Sequence, residues 1–222
     1  MTLNIERVIA KELDDRETQI TAAVELLDSG ATVPFISRYR KEITGGLDDT
    51  QLRKLEERLG YLRELEVRRE AVLSSILEQG KLTPELEVAI IAAETKVRLE
   101  DLYLPYKQKR RTKAQIALEA GIEPLADSLI SDPCLEPFDE ALAYINKDEK
   151  FKTAFEDAKG VLDGAKYILM ERFAEDAELL QSIRDFMSHN TVIFSNVVSG
   201  KEKDAAKYRD YFDLQDKFQG IP

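Results

Sequence analysis

The chain has 222 residues, 43% of them hydrophobic, enough to bury a sizeable core as one large domain or two small ones. A formal net charge of −11 excludes a surface that is cationic on average, so any nucleic-acid contact must come from a local basic patch. No apolar stretch approaches the roughly 20 residues needed to cross a bilayer, and one cysteine with one histidine leaves room for neither an internal disulfide nor a His/Cys zinc site. The mixed-charge amphipathic start, Met1 to Leu13, does not read as a signal or transit peptide, and together with the lone thiol it points to the cytoplasm. Tryptophan is absent, glycine and proline are sparse, and Ala, Leu, Glu, Lys and Arg dominate, which is the composition of a helix former.

In chain order, the punctuation predicts one helix after another. Ile5, Val8, Ile9 and Leu13 form a helical stripe. A second helix runs from about Arg16 to Ser29 and stops at Gly30. Pro34 opens a short helix through Phe35, Ile36 and Tyr39, broken by Thr44-Gly45-Gly46. Asp48 with Gln51 forms a capping box that starts the longest element, running to Gln79 and Gly80. Its seam of Leu52, Leu55, Leu59 and Leu62 slips register to Leu65, Val72 and Ile76, past a charged patch at Arg68, Arg69 and Glu70. Thr83-Pro84 opens the next helix. A short one covers Arg98 to Leu104, and Thr112 with Gln115 starts another that ends at Gly121. Pro124 begins its successor, followed by helices near Phe138 to Ile145, Phe151 to Ala158, Gly164 to Phe173 and Glu178 to Met187. Gly160 and Gly164 read as helix-boundary residues. Thr191 to Val198 alternates and is β-branched, so it is either an isolated extended segment or a helix continuation. Asp204 to Asp213 reads as helical and polar, and the Gly-Ile-Pro ending as the link to something further.

The expected fold is therefore all-α and multi-helical, with one long helix and a helix-turn-helix-like portion around Gly121. Three parts are expected: N-terminal helices over 1–50, a helical region over 51–190 that holds the helix-turn-helix-like portion, and a terminal segment over 191–222. The second helix of that portion offers Asp127 and Ser128 where a major-groove reader needs Arg, Lys, Asn or Gln, so packing is its expected use.

Catalytic chemistry has no positive sign. His189 stands in a polar helix-end context, no phosphate loop or dinucleotide fingerprint occurs, and the carboxylates are spread over polar helix faces. The expectation is a non-enzyme with no catalytic residue, no metal and no cofactor. Against the acidic background, Tyr103-Leu-Pro-Tyr-Lys-Gln-Lys-Arg-Arg-Thr-Lys113 is the departure. Lys107, Lys109, Arg110, Arg111 and Lys113 lead into the helix start at Thr112, whose positive dipole end they face. A polyanion there would satisfy both, and nearby tyrosines can stack on bases. The same run equally suits an internal counter-charge to an acidic face. Arg38 and Lys41, three apart on the helix after Pro34, suit salt bridges at a domain interface.

Val33-Pro-Phe-Ile-Ser-Arg-Tyr-Arg-Lys-Glu-Ile-Thr-Gly-Gly-Leu47, the run from Asp101 to Ala114, and Lys201 to Phe212 closely resemble the N-terminal region of bacterial Tex proteins. These are transcription accessory factors related to a eukaryotic elongation factor. The resemblance implies that the intact protein continues into an RNase H-like domain, a helix-hairpin-helix region and a C-terminal OB-fold RNA-binding domain, none of which lies in this sequence. It further implies that RNA or single-stranded nucleic acid is met mainly through that C-terminal part. The expected partners are then the other domains of the same protein and the transcription machinery, with no membrane. Weak nucleic-acid binding by this chain itself, through the basic run at 107–113, is the alternative.

Overall fold

Local rules account for most of the first hundred residues of the computed structural model, which describes residues 4–146 and 150–218. Asn4 accepts the Arg7 amide at 2.8 Å and starts α1 (Ile5–Leu13). The chain leaves α2 (Glu17–Asp28) through Gly30, whose φ of +88° favours glycine. Pro34 lies in the first turn of α3 (Val33–Tyr39), but the expected single short helix is two. The backbone bends at Arg40 (φ −132°) into α4 (Lys41–Thr44), so the three-residue spacing of Arg38 and Lys41 does not place them on one helical face.

The capping box at the start of α5 (Asp49–Glu78) is present: Asp48 Oδ1 accepts the Gln51 amide at 2.8 Å and Gln51 Oε1 accepts the Asp48 amide at 3.0 Å. The stripe from Leu52 to Ile76 is buried against α1, α2 and α3, and against α6 (Pro84–Ala92) and α7 (Lys96–Tyr103). Thr83 caps α6 by accepting the Leu86 amide at 3.2 Å. Arg69 does not belong to a solvated charged patch, as the sequence suggests. It is 3% exposed and lies in the stripe itself. Its guanidinium donates to the carbonyls of Ile90 and Ala93, each at 3.0 Å, and of Ile91, at the C-terminal end of α6. The orphan carbonyls of that helix end thus find their donors on α5.

These elements make up one compact unit, Met1–Tyr103; the second is Leu104–Pro222. In the second unit α8 (Lys113–Glu119), α9 (Glu123–Ser131), α10 (Pro137–Ala141) and α11 (Lys152–Phe155) pack on α12 (Ala158–Glu175) around Ala117, Ile122, Leu125, Phe155, Val161 and Ile168. The helix, short turn and helix around Gly121 (φ +79°) have the connectivity read from the sequence, and both helices are applied to α12.

The structure corrects three expectations. Gly160 and Gly164 are not at a helix boundary but inside α12, which Asp157 caps by accepting the Gly160 amide at 2.7 Å. A Cβ on Gly164 would lie 2.9 Å from Phe155 Cε1 and 3.0 Å from Ile122 Cδ1, so the glycine permits close approach of the packed elements. The segment after α13 (Ala177–Asn190) is extended and partnered: β1 (Val192–Asn196) pairs antiparallel with β2 (Asp213–Lys217), Phe194 opposite Gln215. The expected helix at Asp204 to Asp213 is a 3₁₀ segment, Ala206–Tyr211, kinked at Tyr208. The fold is predominantly helical, as expected, with this hairpin as its β component.

Candidate nucleic-acid interface

Pro105 cannot continue α7, and a 3₁₀ turn at Leu104–Tyr106 releases the chain into the irregular stretch that carries the five cations. Thr112 ends the stretch by accepting the Gln115 amide at 3.0 Å and starting α8. The cations differ in their partners. Lys109 pairs with Glu171 at 3.0 Å and with Glu175, both in the last turns of α12. Thr112 Oγ1 donates to the other oxygen of Glu171 at 2.8 Å. Arg111 lies 2.5 Å from Glu119, which also receives Lys150 at 3.4 Å. Lys113 donates to Tyr167 Oη at 3.2 Å, with its ammonium 4.8 Å from the ring centroid. Lys107 and Arg110 are exposed and have no carboxylate within ion-pair distance among the described residues.

The electrostatics follow the geometry. Burial pushes the Glu171 carboxyl up, but the hydrogen bonds from Lys109 and Thr112 outweigh it and hold the group below its ordinary value. The bond from Arg111, helped by Lys150, does the same for Glu119. The negative charge beside the Thr112 cap is thus supplied by the protein's own α12. Tyr103 is half-buried, its hydroxyl 3.0 Å from Ser75 Oγ and its ring 5.3 Å from Arg68.

Arg38 and Lys41 are exposed on α3 and α4 and make no ion pair among the described residues. Asp127, on the second helix of the helix-turn-helix-like portion, is paired with Arg172 of α12, which also holds Glu123 at 2.7 Å. His189 stands in the last turn of α13, its Nδ1 2.7 Å from the Asp185 carbonyl oxygen. Among the described residues no group of three or more His, Cys, Asp or Glu side chains is placed to hold a metal, and no helix is long and apolar enough to cross a membrane. Sequence reasoning missed Glu171 and Glu175. Their i,i+4 spacing near the end of α12 was visible, but nothing in the spacing joined them to a run some sixty residues earlier.

The described chain is thus two helical units, with two of the five cations of its basic run paired to carboxylates and a third resting on Tyr167. Residues 3–77 match the family model described as Tex-like protein N-terminal domain, and residues 132–222 match the one described as Tex central region-like. The chain belongs to the Tex family. It is 60% identical over 216 residues to Protein YhgF of Escherichia coli (strain K12), a match covering 97% of this chain and 27% of that protein. To the Transcriptional accessory protein Tex of Neisseria gonorrhoeae it is 54% identical over 220 residues, or 99% of this chain and 28% of the relative. A more distant relative, the S1 RNA-binding domain-containing protein 1 of Homo sapiens, is 31% identical over 195 residues, or 85% of this chain and 19% of the relative. The chain thus spans little more than a quarter of the length of the curated bacterial relatives named here.

Proposed function

We propose that this chain is the helical scaffold and interaction region of a Tex-like transcription accessory protein whose full-length form binds RNA. Other domains of that protein are its first partners and the transcription machinery a further one. Two of these relatives carry the names of a transcriptional accessory protein and an RNA-binding domain-containing protein, which favours a role without catalysis. The exposed free thiol of Cys134 fits a reducing, cytoplasmic setting.

The observation that carries the reading is the clamp on the basic run. Lys109 and Arg111 are held by Glu171, Glu175 and Glu119, and Lys113 lies over Tyr167, so only Lys107 and Arg110 stand clear to meet phosphates. Nucleic-acid contact through this run is correspondingly weak.

Salt dependence separates the readings. Titration of single-stranded RNA into this chain should give weak binding with a log–log slope of about −1.4, as two phosphate contacts would produce, against about −3.5 for all five cations. The intact protein should bind tightly, and Lys107→Glu with Arg110→Glu should remove the weak binding of the chain alone. A slope near the steeper value, with affinity matching that of the intact protein, would make the basic run the RNA site and overturn the proposal.

A further inference from the structure

The α3–α4 segment is fixed at the back and bare at the front. Val33, Ile36, Ser37 and Thr44 are buried. Gln19 of α2 donates to the carbonyls of Thr44 and Gly45 at 3.1 and 3.0 Å, and the Gly45 backbone, at φ +65°, leaves no room for a Cβ against that side chain. These contacts fasten the segment to α2 through its backbone. On the outside, Phe35 is 41% exposed, Tyr39 62% and Ile43 48%. The Phe35 and Tyr39 rings lie 5.5 Å apart, with the Arg40 guanidinium 5.3 Å from the Phe35 centroid. Arg38 and Lys41 are exposed between Phe35 and Ile43 without a carboxylate partner among the described residues, although the chain carries 43 acidic side chains against 32 basic ones.

Exposed aromatic side chains beside arginine are the composition of a protein-interface hot spot. Unpaired cations in a chain with excess acid call for carboxylates brought from elsewhere. The aliphatic Ile43, on which no base stacks, favours a protein surface over a nucleic acid, which would use the cations and the rings and leave this side chain in water. We infer that the exposed face of α3 and α4 is the docking surface for an acidic amphipathic segment of the same polypeptide, lying outside the matched stretch. The Tex relatives extend well beyond that stretch, and a tethered segment meets the surface at a high effective concentration. The inference rests on the scaffold reading above and names the partner class for one of its faces.

Hydroxyl-radical footprinting of the intact protein and of this chain tests it. Oxidation of Phe35 and Tyr39 should be severalfold slower in the intact protein, and Arg38→Glu with Lys41→Glu should restore the rate seen in the chain alone. Both cations are exposed, so the melting curve of the variant chain should not move. Equal oxidation in the two proteins would overturn the docking surface while leaving the RNA titration to judge the scaffold reading. Protection that appears only on adding single-stranded RNA would reassign the face to nucleic acid. Protection that grows with the concentration of this chain alone would reassign it to a second copy.

Discussion

Arg69 takes the place of a leucine in the α5 stripe: Leu62, Leu65, Arg69, Val72 and Ile76 follow one another at helical spacing and all are buried. A guanidinium tolerates that position because its donors meet the carbonyls of Ile90, Ile91 and Ala93, and Glu66 lies 3.4 Å from its Nε. Replacing Arg69 with leucine keeps the stripe apolar but strands buried carbonyls and the half-covered Glu66. The expected loss is about 3 kcal/mol in urea unfolding. The neighbouring Arg68 pairs with Glu100 where both side chains are more than a third exposed, and Arg68→Ala should cost about 1 kcal/mol or less. Equal losses at the two positions would mean that Arg69 is not a working helix-end donor. The 3-4-3 spacing of Leu62, Leu65, Arg69 and Val72 is legible in the sequence, but the charge of Arg69 groups it with Arg68 and Glu70, and only the carbonyls of α6 reveal why a cation occupies the stripe.

At the scale of elements, glycine shows where packing overrules propensity. Gly60 lies inside α5, exposed, with nothing beyond its own helix backbone within 4 Å of the place a Cβ would occupy, whereas a Cβ on Gly160 of α12 would lie 2.3 Å from the Ala154 carbonyl oxygen. Gly60→Ala should therefore stabilise the protein by up to about 1 kcal/mol through helix propensity and reduced unfolded-state freedom. Gly160→Ala should destabilise it, because backbone must move and the same propensity gain cannot cover the shift. Thermal melts of the two variants should shift in opposite directions; a shared direction would contradict this account of α12. The same contrast explains what was legible. Helices opened by Asp48, Thr83 and Thr112 and closed by Gly30, Gly80 and Gly121 were readable because caps and stops act over a few residues. The first turns of α12 were not, since their two glycines have meaning only against Phe155, Ile122 and Ala154. Nor was β2: Asp-Leu-Gln-Asp-Lys has no β-branched residue and one partly covered side chain, and it is a strand because β1 is beside it.

For the whole molecule the decisive quantity is where the charges are, not their sum. The basic run stood out against the net charge of −11, but which of 43 carboxylates would meet it is a property of the tertiary fold. Both units use such pairs. Hydrogen bonds from Arg63 and Lys96 hold Asp28 and Glu64 below their ordinary values in the first unit. In the second, Arg111 lowers Glu119, and Lys109 with Thr112 lowers Glu171 against the push of burial. A carboxylate lowered in the folded state contributes stability that is present above its unfolded value, about 3.9 for Asp and 4.3 for Glu, and is lost as pH falls through the folded value. Between pH 7 and the sequence pI of about 4.8, loss of excess negative charge relieves self-repulsion, so the melting temperature should hold or rise. Below about pH 4 the unfolded chain binds protons that the paired carboxylates resist, so the melting temperature should fall progressively as the pH drops through their lowered values. Glu171→Gln isolates one contribution. The variant should melt lower than the parent at pH 7, because Lys109 loses one of its two charged partners, and the gap should narrow as the pH falls from 7 through the lowered value of the parent carboxyl, where that group takes up its proton. Melting curves that stay a constant distance apart over that range would show that the clamp on the basic run contributes through packing and not through charge.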